Sequence, residues 1–137
     1  MNLYDILQLK VTYVPLFLKD GRLVFDREVL TNAFTDSTKV FAINSPHNPT
    51  GKVFDIEELG FICELLDKHK HVVVAADEVY YNLYFNNSNN DRKNEHTFFA
   101  SLPGMWERTI SVHSFGKTFS CTGWRIGFGI GPAYMIR

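Results

Sequence analysis

The segment SFGKTFSCTGWRIGFGIG carries the side chains best suited to chemistry in this chain. Lys117 is flanked by small residues, Ser114 stands three positions before it, and Arg125 follows eight positions after it. A lysine amine attacks carbonyl carbons, and an arginine beside a hydroxyl binds phosphate through charge-assisted hydrogen bonds. The segment therefore suits covalent chemistry on a phosphorylated aldehyde.

Two upstream segments place polar side chains directly after apolar, strand-like runs. SPHNPTG contains Asn48, and VVVAADEVYY contains Asp77 and Tyr80. Pyridoxal phosphate needs an amine to form its Schiff base and a carboxylate facing its ring nitrogen. It also needs donors for its phenolic oxygen, and a hydroxyl and a cation for its phosphate. The sequence therefore predicts a pyridoxal phosphate site formed by Asn48, Asp77, Tyr80, Ser114, Lys117 and Arg125.

Lys117 and Asp77 have the predicted roles closest to the reaction. Lys117 would form the Schiff base and then move a proton between the substrate α-carbon and the cofactor, which requires a neutral amine. Burial and the cationic Arg125 nearby would favour that neutral form. Asp77 would pair with the protonated ring nitrogen and keep the ring able to accept electrons. The alternatives are a surface charge for Lys117 and a helix N-cap for Asp77.

The remaining side chains would hold and orient the cofactor. Asn48 and Tyr80 would hydrogen-bond its phenolic oxygen, whereas Ser114 and Arg125 would bind its phosphate. The alternative for Asn48 is that Asn-Pro opens an ordinary turn, and the alternative for Arg125 is a surface charge. Glu78 alternates to the opposite side of its strand and is predicted to be structural.

These side chains depend on strands and helices that alternate along the chain. Asp26 is a candidate N-cap, and Asp55 followed by Glu58 forms a capping-box pattern. The polar stretch 86–96 predicts an exposed loop. The predicted helices span residues 28–34 and 56–70, and the predicted strands span residues 11–18, 39–44, 72–76, 109–113 and 126–130. The second and third strands are predicted to be buried, in an α/β fold whose mostly parallel sheet carries ligand groups at its strand ends.

The motif-bearing segments resemble one known family of enzymes. They read INSPHNPTGKVF, ADEVYYNLYF and SLPGMWERTISVHSFGKTFSCTGWRIGFGIGP. They are similar to the class I aminotransferases of fold type I, and within that class to the kynurenine aminotransferase and glutamine transaminase K group. That group also shows cysteine-S-conjugate β-lyase activity. The likeness runs from about Leu9 to the last residue, and its specificity comes from separated motifs that occur in the family's order.

This resemblance implies an α/β fold with a mostly parallel sheet between helices, and pyridoxal 5'-phosphate as the cofactor. It implies transamination between an amino acid, such as kynurenine or glutamine, and a 2-oxo acid, carried out by a homodimer. Lys117 is the implied catalytic residue, and the resemblance lets Asn48 also touch the substrate carboxylate.

The resemblance further implies that residues 1–137 are part of the large, cofactor-binding domain. In the family, a phosphate-binding turn, an aromatic residue stacked on the ring and a tyrosine from the second subunit would precede Leu9. A substrate-binding arginine would follow Arg137 in a small C-terminal domain. We therefore expect this stretch alone to be inactive, and a noncatalytic binding module remains the alternative.

Length, charge and cysteine usage narrow the class of protein. A chain of 137 residues with 45% hydrophobic residues can bury a core of its own. Its net charge of −1 gives no reason to expect a nucleic acid or an anionic membrane as a partner. We identify neither a secretion-signal pattern nor an apolar run of about 18 residues. Cys63 and Cys121 lack metal-ligand spacing, so we expect free thiols, no metal, and an intracellular location in the cytoplasm or the mitochondrion.

A nucleotide-hydrolysing P-loop protein is the main rival from another class. The tripeptide GKT around Lys117 and the apolar run that ends at Asp77 superficially copy its two signatures. The phosphate-binding loop requires glycine at position 111, where this chain has Ser111. The acidic strand also comes before the lysine rather than after it, so the spacing excludes this class.

Overall fold

A computed structural model describes residues 9–85 and 95–136 of the chain. The chain divides into two compact units, the first ending at Ser37 and the second beginning at Thr38. Within the described ranges, no helix has the length and apolar character needed to span a membrane. Cys63 and Cys121 are free thiols, as predicted.

The first unit contains a hairpin followed by a helix. Strands β1 (Leu16–Lys19) and β2 (Arg22–Phe25) pair antiparallel. Helix α1 (Arg27–Ala33) begins after Asp26, whose carboxylate accepts hydrogen bonds from two backbone N–H groups of the first turn at 2.8 and 3.1 Å. The predicted cap is therefore confirmed. The predicted first strand starts too early, because Pro15 cannot donate a ladder hydrogen bond and β1 begins directly after it.

A four-stranded sheet forms the centre of the second unit. Its strands, in spatial order, are β3 (Val40–Asn44), β4 (Val73–Asp77), β5 (Thr109–Ser114) and β6 (Gly127–Ile130). Strands β3, β4 and β5 are parallel, and β6 runs antiparallel to β5. The carboxyl ends of the three parallel strands therefore meet at one edge of the sheet, where α/β proteins bind their ligands.

The strand register sets the order of the polar groups at this edge. Asn44 lies opposite Asp77, and Asp77 lies opposite Val112. Ser114 ends β5 beyond that pair and lies opposite Gly127. Three polar side chains from three neighbouring strands therefore lie in a row along the sheet edge.

Strands β3 and β4 differ in burial. Val74 and Ala76, on one face of β4, are almost completely buried, whereas Val73 and Ala75 on the other face are half-buried, so the predicted cover on both faces is only partly present. Strand β3 occupies the end of the sheet, and Val40 at its start is 55% exposed although Ile43 is buried. The predicted burial of this strand is therefore wrong for its first residues, because an apolar composition does not distinguish a central strand from an edge strand.

Helix α2 (Ile56–Lys68) follows the pattern that its sequence predicts, although it ends before residue 70. The Asp55 carboxylate accepts a hydrogen bond from the Glu58 backbone N–H at 2.8 Å, and the Glu58 carboxylate accepts one from the Asp55 N–H at 3.1 Å. The predicted capping box is therefore confirmed. The buried side chains of the helix recur at helical spacing and are Leu59, Ile62, Leu65 and Leu66.

A buried arginine ties α2 to β4. The Arg108 guanidinium donates hydrogen bonds to the carbonyl oxygens of Leu66 at 2.8 Å, His69 at 2.6 Å and Val72 at 2.9 Å. Carbonyl groups at the end of a helix lack partners within the helix, and the guanidinium supplies them. The arginine therefore fixes where β4 starts, and with it the position of Asp77 at the other end of that strand.

Short helices complete the second unit. Helix α3 spans Phe115–Thr118, and helix α4 spans Ala133–Ile136. The 3₁₀ turns span Phe99–Ser101, Trp106–Arg108 and Thr122–Trp124. Helix α3 follows β5 without a linker, so the segment from Ser114 to Arg125 that carries Lys117 (the lysine segment) begins directly at the sheet edge.

Candidate active site

Ser114, Lys117 and Arg125 line one open cleft beside the end of β5. The cleft has a volume of about 170 Å³, and its other walls come from His113, Gly116, Thr122, Ile126 and Gly127. The structure thus brings together the hydroxyl, the amine and the guanidinium of the lysine segment.

Two glycines allow the backbone around this cleft to pack closely. A Cβ atom at Gly127 would lie 2.7 Å from the carbonyl oxygen of His113. A Cβ atom at Gly116 would lie 3.0 Å from Cα of Thr122 and 3.4 Å from Oγ of Ser114. Because these contacts are tighter than ordinary ones, a side chain at either position would push the walls of the cleft apart.

Ser114 links the sheet to the lysine. It ends β5 and caps α3, because its Oγ accepts a hydrogen bond from the Lys117 backbone N–H at 3.3 Å. Nζ of Lys117 lies 5.5 Å from the centre of the Tyr80 ring, which is within range of a cation–π contact. The amine is thereby directed toward the segment that follows β4.

Arg125 reaches the cleft from an uncommon backbone conformation. Its φ angle is 56°, in the left-handed region that few residues other than glycine adopt. Its backbone N–H donates to the carbonyl oxygen of Thr122 at 3.3 Å and closes the preceding 3₁₀ turn. Such conformations persist only where the surrounding structure holds them, and they cluster at ligand sites. Because the Arg125 side chain is exposed and lines the cleft, it is available to a ligand there.

Asn48 and Tyr80 form a second pair of polar groups. Nδ2 of Asn48 donates a hydrogen bond to the Tyr80 hydroxyl at 3.1 Å. Asn48 is exposed in the loop after β3, and Tyr80 is half-buried after β4. The second amide N–H and the phenol O–H can each donate to an oxygen atom of a ligand. The pair therefore provides the donors that the sequence analysis assigned to it.

Asn44 is a residue of this region that the sequence analysis did not identify. Its Nδ2 donates a hydrogen bond to the backbone oxygen of Asp77 at 2.9 Å, and its Oδ1 accepts one from the backbone N–H of Asn48 at 2.8 Å. The only signal in the sequence is that this polar residue ends an apolar run directly before SPHNPTG. Its bond to Asp77 depends on the register of two strands, which the sequence does not display.

Asp77 lies at the exposed end of β4. Its Oδ1 accepts a long 3.4 Å hydrogen bond from the backbone N–H of Val79. Asp77 therefore also caps the following turn, but only weakly, which is the alternative role predicted for it. Among residues 9–85 and 95–136, no lysine or arginine forms an ion pair with its carboxylate. Asp77 is not one of the residues that line the lysine cleft. Its carboxylate can therefore accept a cationic N–H group from a ligand.

Glu78, the next residue, points into the interior, as the alternation along the strand predicts. It is 2% exposed, and its Oε1 accepts a hydrogen bond from the Phe99 backbone N–H at 2.8 Å. Nε2 of His96 lies 3.7 Å from Oε1, and Nε2 of His113 lies 4.0 Å from Oε2. Burial is the main cause that raises the pKa of Glu78 and lowers the pKa of both histidines, that of His96 to about 4.

The burial of His96 corrects the predicted exposed loop over residues 86–96. Residues 86–94 lie outside the described residues, but the His96 side chain is 3% exposed. Its ring packs edge-on against Phe98, with ring centres 4.9 Å apart. A polar composition predicts exposure on average and does not identify one ring that packs beside a buried carboxyl. In the described part of the chain, no three histidine, cysteine, aspartate or glutamate side chains are placed to hold a metal ion.

His96 should make the chain less stable in mild acid. Because its folded pKa is about 4, the unfolded chain takes up a proton near pH 6.5 that the folded chain does not take up. The contribution of His96 to the free energy of unfolding therefore falls between about pH 6.5 and pH 4, whereas the raised pKa of Glu78 acts in the opposite sense. Urea titrations measure the free energy of unfolding at each pH. Between about pH 6.5 and pH 4, this free energy should fall by about 1 kcal/mol less in His96→Gln than in the parent.

The control for this measurement is His71→Gln, at an exposed histidine. It should lose as much stability as the parent when the pH is lowered. An identical pH dependence for the parent and His96→Gln would show that His96 takes up its proton in the folded chain, contrary to the expectation.

Comparison with known proteins identifies the family. The chain matches the model of the family described as aminotransferase class I and II over residues 5–137. This range includes the sheet, the lysine cleft and the polar groups at the strand ends. The chain therefore belongs to the aminotransferase class I and II family.

Two relatives and one solved structure illustrate the likeness. The chain is 49% identical over 112 residues to the kynurenine–oxoglutarate transaminase of Dictyostelium discoideum, and the match covers 81% of this chain and 24% of that protein. It is 44% identical over 108 residues to kynurenine–oxoglutarate transaminase 1 of Homo sapiens, at 79% and 24% coverage. The structure of N-succinyldiaminopimelate aminotransferase from Mycobacterium tuberculosis superposes with a TM-score of 0.87 at 38% identity, covering 97% of this chain and 33% of that one. The chain thus spans about a quarter of the length of these two relatives.

The aminotransferase family is pyridoxal phosphate-dependent, and the predicted mostly parallel α/β fold is confirmed. The side chains of this chain fit the cofactor. The cleft presents an amine beside a hydroxyl and a guanidinium, and the glycines on its walls leave room that a Cβ would fill. Asp77 offers a carboxylate that no lysine or arginine of the described residues pairs with, and Asn48 with Tyr80 offers donors.

Proposed function

We propose that this chain holds pyridoxal 5'-phosphate for the transfer of an amino group between an amino acid and a 2-oxo acid, with kynurenine or glutamine as the amino donor. The observation that carries the proposal is the cleft in which Lys117 lies beside Ser114 and Arg125. The family match and the kynurenine–oxoglutarate transaminases among the relatives support it. We further propose that the working enzyme is a homodimer, located in the cytoplasm or the mitochondrion.

When bound, pyridoxal phosphate supplies a carbonyl carbon that receives the amino group and a ring that accepts the electron pair of the substrate α-carbon. The Ser114 hydroxyl and the Arg125 guanidinium, which both line the cleft, would bind the phosphate. Nζ of Lys117 would hold the cofactor covalently and would take the proton from the substrate α-carbon. Because Ser114 and Arg125 line the same cleft as Lys117, a phosphate bound there would keep the carbonyl carbon near this amine.

The groups at the ends of β3 and β4 orient the ring. The Asp77 carboxylate would keep the proton on the ring nitrogen, because a negative charge stabilises the protonated form. Nδ2 of Asn48 and the Tyr80 hydroxyl would donate to the phenolic oxygen, and their own 3.1 Å hydrogen bond keeps them side by side. Asn48 also contacts the substrate carboxylate in this proposal, since its amide is exposed at the sheet edge.

The test of this function is a half-reaction with the purified chain. Pyridoxal phosphate is added, then kynurenine or glutamine, and the formation of pyridoxamine phosphate and the corresponding 2-oxo acid is measured by chromatography. Equimolar formation of both products supports transamination. Saturable cofactor binding without product formation would support the noncatalytic binding module and the expectation that these residues alone are inactive. No cofactor binding would contradict the proposal.

Arg125→Ala should weaken cofactor binding because the phosphate loses a charge-assisted hydrogen bond. Such a bond contributes about 1.5 to 3 kcal/mol, so we expect the Kd for pyridoxal phosphate to rise about ten- to a hundredfold. Arg125→Lys keeps a positive charge and should have a much smaller effect. The Kd is measured by equilibrium dialysis.

Pyridoxal without its phosphate separates a phosphate role from general damage to the cleft. Arg125→Ala should bind pyridoxal as the parent does, and Arg22→Ala, at an exposed arginine of β2, should bind both ligands normally. If Arg125→Ala bound pyridoxal phosphate as tightly as the parent, the phosphate role of Arg125 would be wrong.

A further inference from the structure

The Asn44 side chain connects the loop after β3 with the end of β4. The donor side of its amide, Nδ2, bonds to the backbone oxygen of Asp77 at 2.9 Å. The acceptor side, Oδ1, bonds to the backbone N–H of Asn48 at 2.8 Å. Because a carboxamide is rigid and planar, its two bonds hold the two backbone segments at a fixed separation.

Among the described residues, backbone hydrogen bonds join the start of the loop to the end of β4, but none involves the N–H of Asn48. The register of β3 and β4 ends at the pair Asn44 and Asp77, and the last backbone bond across it runs from the Ser45 N–H to the Asp77 oxygen at 3.0 Å. The far side of the loop is closed by the Gly51 N–H, which donates to the His47 oxygen at 2.7 Å. Among the described residues, the acceptor for the Asn48 N–H is the Asn44 side chain.

Contacts continue from Asn44 to the lysine. The backbone of Asn48 is held by Asn44, and the Asn48 side chain donates to the Tyr80 hydroxyl at 3.1 Å. The Tyr80 ring lies 5.5 Å from Nζ of Lys117. A change at Asn44 therefore reaches the groups assigned to the cofactor ring through direct hydrogen bonds.

We infer that Asn44 is a positioning residue of the cofactor site, which holds the Asn48 amide and the end of β4 that carries Asp77 as one unit. This inference rests on the proposed function and adds to it a residue that acts only through its neighbours. A purely structural role at the strand end would stabilise the fold without acting through the Asn48 side chain.

Two substitutions separate the two hydrogen bonds of Asn44. Asn44→Leu removes both bonds at similar volume, whereas Asn44→Asp keeps the oxygen that accepts the Asn48 N–H and removes the donor to Asp77. Amide hydrogen exchange measured by NMR without cofactor should show that the Asn48 N–H loses protection in Asn44→Leu and keeps it in Asn44→Asp. Asn82→Leu, at an exposed asparagine, is the control and should match the parent.

The second readout is the bound cofactor. We expect Asn44→Leu to weaken pyridoxal phosphate binding roughly three- to tenfold, and to shift the pH at which the absorbance of the bound cofactor changes. Asn48→Ala should shift that pH in the same direction. Because both act through the Asn48 amide, the double variant should shift it no further than Asn48→Ala alone.

Several results would overturn the inference. Unchanged exchange of the Asn48 N–H in Asn44→Leu would show that the hydrogen bond does not hold the loop. Effects on the cofactor that add in the double variant, or a loss of thermal stability with unchanged cofactor binding, would indicate a structural role. If Asn44→Leu fails to fold, Asn44→Asp provides the test. Because it keeps the oxygen that accepts the Asn48 N–H, a loss of protection of that N–H would also overturn the inference. A parent chain that binds no pyridoxal phosphate would instead overturn the proposed function, and the positioning role with it.

Discussion

Replacing Lys117 by alanine in an active enzyme that contains these residues is expected to reduce transamination by roughly 10⁴-fold while leaving pyridoxal phosphate bound. The variant loses both the covalent link to the cofactor and the base that takes the proton from the substrate α-carbon. The Asp77 carboxylate and the Arg125 guanidinium are unchanged in it, so the cofactor keeps its polar contacts. Turnover is measured with kynurenine or glutamine and a 2-oxo acid, and retained cofactor is measured after gel filtration.

The matched control is Lys68→Ala, at an exposed lysine in the last turn of α2. It should keep the activity of the parent, because its side chain lies on the solvent face of that helix. A small primary amine added to Lys117→Ala should restore part of the activity, since it can take the proton in place of Nζ. Activity within tenfold of the parent in Lys117→Ala would contradict the assigned role.

Replacing Asp77 is expected to lower kcat by roughly 10²- to 10³-fold with a much smaller change in cofactor affinity. The reason is electronic, because a ring nitrogen without its carboxylate partner loses its proton and accepts the electron pair poorly. Asp77→Asn keeps an oxygen for the weak 3.4 Å bond from the Val79 N–H, whereas Asp77→Ala removes that bond as well. Both variants should lose kcat to a similar extent.

Steady-state kinetics and cofactor dialysis distinguish the electronic role from the capping role. Loss of activity in Asp77→Ala but not in Asp77→Asn would show that the 3.4 Å capping bond matters and the charge does not. A rise in KM with unchanged kcat would likewise contradict an electronic role, because the reaction step would then be intact.

The lysine segment could be predicted from the sequence because its groups are close together along the chain. Ser114 and Lys117 share one helical turn, and Arg125 follows the same short connection to β6. Local spacing therefore determines that they line one cleft. The N-cap of α1 and the capping box of α2 were predictable for the same reason, since each involves residues within one turn.

Contacts set by strand register were not predictable. The Asn44 side chain reaches Asp77 only because β3 and β4 pair in one particular register. The burial of His96 beside Glu78 likewise depends on packing between distant segments, whereas its polar neighbours in the sequence predicted exposure. The exposure of Val40 follows from the place of β3 at the end of the sheet, which no pattern within the strand reveals.

The central claim is that Lys117 carries the cofactor, and reduction with borohydride tests it most directly. Borohydride fixes pyridoxal phosphate irreversibly to the lysine that holds it, and proteolysis followed by mass spectrometry identifies the labelled peptide. The account predicts a single label on the peptide that contains Lys117, absent from Lys117→Ala. A label on Lys52 or Lys68, or a label that persists in Lys117→Ala, would contradict it.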